Sequence, residues 1–239
     1  MSVSFDFTGK SVLVTGASSG IGQGVASAFA KAGADLTILS STDSIYDAAA
    51  TMHGNVKAIK CDISDASAVT AALAGIDRLD VLVNNAGLEK PTPLSGTNPS
   101  GDATFERVIA INVNGTRNVT DSLINRIPDG GRIIITSSIW AKTAVSGFSA
   151  YVASKHANVG LMRTWAKELG PRGIRVNAIC PGWVKTGPAM SSLGDLARTQ
   201  GTSEESLLAE IISAQAIDGL MTPEDMAETY MFLASEGGR

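Results

Sequence analysis

The feature that most constrains this chain is a regular alternation of two hydrophobic periodicities. Short β-rich runs occur at Ser11-Val12-Leu13-Val14-Thr15, Leu36 to Leu39, Val56 to Ile59, Leu79 to Val83, Arg132 to Thr136 and Ile174 to Ile179. Between them lie stretches of helical spacing. Ile21, Val25, Ala28, Phe29 and Ala32 share one helix face, and Tyr46 to Met52 reads as a short helix. Ser64-Asp65 can cap a helix running to about Leu73. Phe105 to Ile127 predicts a long helix stopped by Pro128 and Gly130-Gly131, and Ala150 to Leu169 predicts another, ended by Gly170-Pro171. Strands alternating with helices at this spacing predict an α/β fold, a doubly wound parallel sheet flanked by helices, with right-handed crossovers. Neither a linker nor an internal repeat divides the sequence, so residues 1–239 read as one domain. Residues 185–222, rich in Ser, Thr, Gly and Met, read as an irregular substrate-binding lid or loop holding one helix, Glu204 to Ala214.

Composition excludes several other classes. At 239 residues and 44% hydrophobic, the chain can bury a large core without staples. Its two cysteines, Cys61 and Cys180, do not make a disulfide framework, and no Cys/His/carboxylate cluster has metal-ligand spacing, so no metal is expected. A net charge of −4 without a basic cluster argues against nucleic acid as a partner. No apolar run approaches the roughly 20 residues that span a bilayer, so no membrane partner is expected. Met1 to Lys10 lacks a basic region leading into an apolar one, so a cytoplasmic location is expected. His53 and His156 read as surface or interface residues.

Thr15-Gly16-Ala17-Ser18-Ser19-Gly20-Ile21-Gly22 follows the first strand and opens the first helix. Gly16 permits a tight turn, Gly20 lets backbone approach a pyrophosphate, and Gly22 allows close packing of helix on sheet. The helix N-terminus then presents unpaired N–H groups and a positive dipole end. The spacing is G-x-x-x-G-x-G; taken alone, a glycine turn without a ligand would read the same. Asp62 and Ile63 follow the third strand, and Asn84, Asn85, Ala86 and Gly87 the fourth. Both groups belong at the carboxyl edge, where such sheets bind ligands. There Asp62 could accept from an adenine amine or simply cap a helix.

Tyr151 and Lys155 stand four residues apart on one predicted helix and share a face. A phenol titrates near pH 10, too high for proton exchange at neutrality. An ammonium about 4 Å away, at an effective dielectric of about 20, would favour the phenolate by roughly 4 kcal/mol, about three pKa units. That expectation brings Tyr151 toward useful acid–base chemistry. Ser138, at the end of the fifth strand, can donate to the same substrate oxygen, and Asn112 can position backbone and water around the lysine.

With these residues in order, the sequence resembles the short-chain dehydrogenase/reductase family. The matches are Thr15-Gly16-x3-Gly20-Ile21-Gly22, Asn84-Asn85-Ala86-Gly87, Asn112, Ser138, Tyr151-x3-Lys155 and Pro181-Gly182-Trp183-Val184-Lys185-Thr186. The resemblance implies a Rossmann-like fold, a nicotinamide cofactor and a catalytic set of Asn112, Ser138, Tyr151 and Lys155. It further implies that Lys155 holds the nicotinamide ribose and that Val184 and Thr186 contact the carboxamide, with Pro181 and Gly182 in the same turn. A homotetramer, or a dimer, built on the two long helices is also implied. The family pattern usually continues into a further strand with a T-G-Q…D-G-G type motif. These residues stop at Gly237-Gly238-Arg239, so that strand is expected either to lie outside this sequence or to be absent.

An acidic residue at the end of the second strand would hold a ribose 2′-OH and repel a 2′-phosphate. Ser40-Ser41-Thr42 occupies that place, so NADP(H) is favoured over NAD(H), although no Arg or Lys stands at Ser19 or Ser41 to neutralise a phosphate. Asp43 would serve NAD if the loop folded back. Glu89, Trp140, Trp183 and Met190 are expected to surround the reacting centre with Ser138 and Tyr151. Residues 181–223 look similar to the corresponding part of 3-hydroxybutyrate dehydrogenases and related sugar-acid or polyol dehydrogenases, but Trp140 and Phe148 stand where the side chains that would hold a hydroxybutyrate carboxylate are expected, with Ser192 further along. The expected substrate is therefore a polyol, a sugar derivative or a small carbonyl compound, interconverted between secondary alcohol and ketone or aldehyde. The alternatives are a 3-oxoacyl or 3-hydroxy acid dehydrogenase/reductase, an epimerase or dehydratase using the same pair, and a non-catalytic cofactor-binding protein.

Overall fold

The computed structural model describes residues 4–94 and 99–238; Met1 and Arg239, which bounded the sequence reading, lie outside them. Six parallel strands form one sheet: β1 (Ser11–Thr15), β2 (Asp35–Ser40), β3 (Val56–Lys60), β4 (Val81–Asn84), β5 (Arg132–Thr136) and β6 (Arg175–Ile179). Their order is β3-β2-β1-β4-β5-β6, so the chain runs outward from β1 to one edge, then returns to pair β4 with β1 and winds the other way. The expected doubly wound, Rossmann-like sheet is present.

Strand periodicity divides the core between the two faces. Val12, Val14, Ile38, Val81 and Val83 point to the face covered by α1 (Gly20–Lys31) and α9 (Pro223–Ala234), where Phe29 and Tyr230 are fully buried. Leu13, Leu39, Leu82, Ile133 and Ile135 point to the other, against Val69 of α3 (Ala66–Ala72) and Val119 and Leu123 of α5 (Thr116–Leu123). Asp65 caps α3, accepting from the amides of Ser67 and Ala68. The remaining helices are α2 (Ser44–Ala50), α4 (Pro99–Ile109), α6 (Ser149–Leu169), α7 (Gly187–Gln200) and α8 (Glu204–Ser213).

Two expectations are corrected. The stretch read as one helix from Phe105 to Ile127 begins earlier, in α4, and is interrupted by a π-helical turn, Ala110–Gly115, before α5. Gly115 packs so closely on Ile63 that a Cβ would overlap the isoleucine side chain, and Thr116 Oγ1 donates to the Asn112 carbonyl at 2.8 Å. Residues 185–222, read as irregular around one helix, carry two. Thr186 Oγ1 accepts from the Ala189 amide to cap α7, Pro188 sits in its first turn, and Gly201 at φ +66° ends it. These same Thr, Pro and Gly residues look like loop composition when counted rather than placed.

Behind the sheet, the Tyr230 hydroxyl of α9 lies 2.8 Å from Thr136 Oγ1 at the end of β5. Tyr230→Phe leaves a buried Thr136 hydroxyl without this partner. It should cost about 1–3 kcal/mol of stability, a fall in melting temperature of several degrees by calorimetry; an unchanged Tm contradicts this reading.

Candidate active site

A cleft of about 400 Å³ runs along the carboxyl ends of the strands. One end is the turn between β1 and α1. Gly16 takes φ +67°, and a Cβ there would stand 2.7 Å from Ala86 Cα; at Gly22 a Cβ would overlap the Gly16 carbonyl oxygen. Thr15 Oγ1 accepts from the amides of Asn85 and Ala86, both at 3.0 Å, while Asn85 Nδ2 donates to the carbonyls of Thr15 and Gly16 at 3.1 and 3.2 Å. These bonds fasten the turn to the end of β4. Ser18, Ser19, Gly20 and Ile21 line the cleft, and Ser19 makes no side-chain cap on α1, which leaves the helix's first amides for a ligand. This donor set fits an anionic dinucleotide. Gly22 lies behind the wall as a packing residue.

Ser40, Ser41 and Thr42 wall the cleft beyond β2. The Ser40, Thr42 and Ser44 hydroxyls form a chain, at 3.3 and 2.7 Å. Asp43 is turned to Lys60, whose Nζ reaches both carboxylate oxygens at 2.9 Å. Asp62 and Ile63 also line the cleft, but the Asp62 carboxylate is engaged: Arg107 Nη2 donates to it at 2.6 Å, and Arg107 Nη1 donates to Ser64 Oγ at 2.6 Å. Burial pushes the Asp62 carboxyl up, yet the Ser64 amide and Arg107 together hold it below the usual carboxylate range. Lys60 and Arg107 were not singled out from the sequence. Lys60 is legible only through register, being opposite Ser40 across β2 and β3, and Arg107 has no local signal.

At the other end Ser138, Tyr151 and Lys155 meet. Ser138, extended just past the end of β5, faces the Tyr151 phenol and accepts from the Trp140 amide at 3.2 Å. Lys155, buried at 3% exposure, places Nζ over the Tyr151 ring, 5.3 Å from its centroid, and donates to the Thr136 carbonyl at 2.8 Å. Asn112 does not reach the cleft. From the π-turn, its Oδ1 accepts from Leu88 N at 2.7 Å, and its Nδ2 donates to Leu88 O and Ser154 Oγ, both at 2.9 Å. Its side chain therefore clamps the loop after β4, with Gly87, Leu88 and Glu89 on the cleft side.

Pro181, Gly182, Trp183, Val184 and Thr186 form the far wall. Trp140 is the centre of an aromatic group, with ring centroids 5.6 Å from Phe148, 5.8 Å from Tyr151 and 6.2 Å from Trp183. Met190 packs with this group against Leu193, Leu196 and Leu207 of α7 and α8 rather than lining the cleft. Glu89 faces the Ser192 hydroxyl of α7. Among the described residues no group of three or more His, Cys, Asp or Glu could hold a metal ion, and no helix is long and apolar enough to cross a membrane.

The electrostatics correct the expected acidification of Tyr151. Burial pushes its phenol above the ordinary value of 10, Glu89 adds to the rise, and the Ser138 bond opposes it. Burial also pushes Lys155 down, to about 8, with Glu89 and then Cys180 opposing. Both groups are withdrawn from water, and the amine stands over the ring rather than at the phenolic oxygen. Lys155 is thus neutral in the folded chain above about pH 8, but protonated in the unfolded chain up to about pH 10.4. In that window the folded state binds fewer protons, so its stability rises with pH. Melting temperatures from pH 8 to 10 should rise in the parent relative to Lys155→Met; parallel curves contradict the depressed amine.

The short chain dehydrogenase family model matches residues 10–195. The chain is 38% identical over 240 residues to Oxidoreductase UcpA of Salmonella typhimurium, covering 96% of this chain and 89% of that protein. A 3-ketoacyl-(acyl-carrier-protein) reductase of Brucella melitensis complexed with NADH superposes with a TM-score of 0.82 at 29% identity, over 97% of this chain and 93% of that one. A protein provisionally named an NAD(P) dependent gluconate 5-dehydrogenase, from Beutenbergia cavernae with NADP bound at low occupancy, superposes with a TM-score of 0.85 at 31% identity, over 99% and 93%. With its sheet, glycine turn and meeting of Ser138, Tyr151 and Lys155, the chain belongs to the short-chain dehydrogenase family, whose members are oxidoreductases acting on CH–OH groups.

Proposed function

We propose that this oxidoreductase interconverts a secondary alcohol and a ketone or aldehyde on a polyol, a sugar derivative or a small carbonyl compound. The observation that carries the reading is the Tyr151 phenol, facing Ser138 with the Lys155 amine over its ring, at the edge of a cleft whose other end is the open N-terminus of α1. The nicotinamide dinucleotide, when bound, supplies or takes the hydride. Its phosphates would lie on the amides after Gly16, from Ser18 to Ile21. Its adenine would lie near Asp62 and Ile63, its ribose near Lys155, and its carboxamide near Val184 and Thr186, with Asn85, Ala86, Gly87, Pro181 and Gly182 as walls.

Ser138 holds the substrate oxygen, and Tyr151 gives it a proton in reduction and takes one in oxidation. A phenol pushed up in pKa is fully protonated at neutral pH, which suits it as a donor. The Asn112 side chain is spent on Leu88 and Ser154, so its part is to position the loop. Trp140, Trp183 and Glu89 border the substrate, with Met190 supporting Trp183 from α7. Residues 185–222, with α7 and α8 among them, act as the lid. A 3-oxoacyl substrate is the second reading, favoured by likeness to the Brucella structure.

NADP(H) is favoured over NAD(H). The wall beyond β2 offers hydroxyls, and Lys60 both neutralises Asp43 and brings a cation one strand from Ser40. A homotetramer or dimer would cover Phe105, exposed on α4.

Tyr151→Phe should lower turnover about 10²–10⁴-fold while nicotinamide fluorescence still reports cofactor binding; equal turnover contradicts the assignment. Ser41→Asp should weaken NADPH in the same titration and leave NADH little changed. An NADPH affinity unaffected by the new carboxylate contradicts the cofactor preference.

A further inference from the structure

Glu89 is the one carboxylate that walls the reacting end of the cleft among the described residues; Asp62 walls the other end. Its backbone is held in place, because Asn112 grips both the N–H and the C=O of the preceding residue, Leu88. Its side chain faces three groups: the Tyr151 phenol, the Lys155 amine and the Ser192 hydroxyl on α7. Ser192 is itself buried, at 7% exposure. The neighbouring wall, Trp140 and Trp183, is aromatic. A carboxylate has two oxygens and about four lone-pair sites, so with Ser192 beside it Glu89 keeps acceptor capacity on the cleft that it shares with Ser138, Tyr151 and Lys155. An ionised carboxylate accepts and does not donate, and it repels another carboxylate.

Resting on the oxidoreductase reading above, we propose that Glu89 is a specificity-determining residue that accepts a hydrogen bond from a second hydroxyl on the carbon next to the reacting one. The preferred substrates are then vicinal diols and α-hydroxy carbonyl compounds, and anionic hydroxy acids are rejected. Trp140 and Trp183 supply the apolar surface for the C–H faces between those hydroxyls. Burial raises the Glu89 carboxyl above the usual range, and a more basic carboxylate is a stronger acceptor for a hydroxyl.

The test is kcat/KM with NADP⁺ and NAD⁺ for three probes, 2,3-butanediol, 2-butanol and 3-hydroxybutyrate, in the parent, Glu89→Gln and Glu89→Ala. Melting temperature and NADPH fluorescence identify folded variants, and the near-isosteric Gln variant serves if the Ala variant does not fold. The parent should favour the diol over the mono-alcohol at least about tenfold, as expected for a hydrogen bond to a charged group. Glu89→Ala should bring that ratio close to one, Glu89→Gln should lower it less, and both should gain on 3-hydroxybutyrate relative to 2-butanol. A diol ratio untouched by either substitution, or a parent that prefers 3-hydroxybutyrate, overturns the role of Glu89 and leaves the oxidoreductase reading standing. Absence of turnover of all three probes and of their ketones with both cofactors overturns the reading and the role together.

Discussion

The amine of Lys155, buried and donating to the Thr136 carbonyl, is the contact on which the rest of the site depends. Withdrawing an amine from water is costly unless a partner meets it, and the partner here is a main-chain oxygen at the end of β5. The next residue repeats the linkage in reverse, with Ser137 Oγ donating to the Lys155 carbonyl at 2.8 Å. Helix α6 is thereby tied at two points to the strand end that carries Ser138. Tyr151, one turn earlier on α6, consequently meets Ser138 without needing a loop to place it. Thr136 in turn leans on Tyr230 of α9, so the position of the phenol is set by elements from both faces of the sheet.

The opposite end of the cleft is built from the same kind of economy. β1 and β4 are neighbours only because the chain reverses its direction of winding there, and this reversal opens the crevice between their following loops. Thr15 and Asn85 close the gap between the two loops with four hydrogen bonds, and no glycine in the turn is spent on flexibility. Asn112 does for the β4 loop what Lys155 does for β5: a buried polar side chain bonds the main chain and ties it to a neighbouring element. The consequence is a cleft with fixed walls at both ends and an aromatic, helical cover.

Much of this was legible in the sequence because it is local. The six strands, the glycine turn and the four-residue spacing of Tyr151 and Lys155 are written in consecutive residues, and a doubly wound parallel sheet follows from the alternation of elements, though not its strand order. What was missed depends on distance in the chain. The Arg107–Asp62 pair spans 45 residues and the Lys60–Asp43 pair 17, and nothing in either neighbourhood announces the other. The π-turn at Asn112 was not read from the apolar spacing: one extra residue turns the stripe by about 100°, but the helices on either side, α4 and α5, are only 11 and 8 residues long. Helix α7 was hidden because capping residues and loop residues are the same amino acids, whereas α8 follows the helix read from Glu204 to Ala214. The sign of the Tyr151 shift was misread for a further reason: spacing along a helix tells that two side chains are neighbours, but not how far both are removed from water.

The central claim is that one dinucleotide lies along this carboxyl edge, from the N-terminus of α1 to the amine of Lys155. Amide hydrogen exchange read by mass spectrometry, with and without saturating NADPH, addresses it directly. The account predicts slowed exchange in residues 16–22, 85–89 and 181–189 together, with the outer edge of α9 unaffected. NADPH that leaves those three segments exchanging at their original rates, or that protects only surfaces away from them, would contradict it.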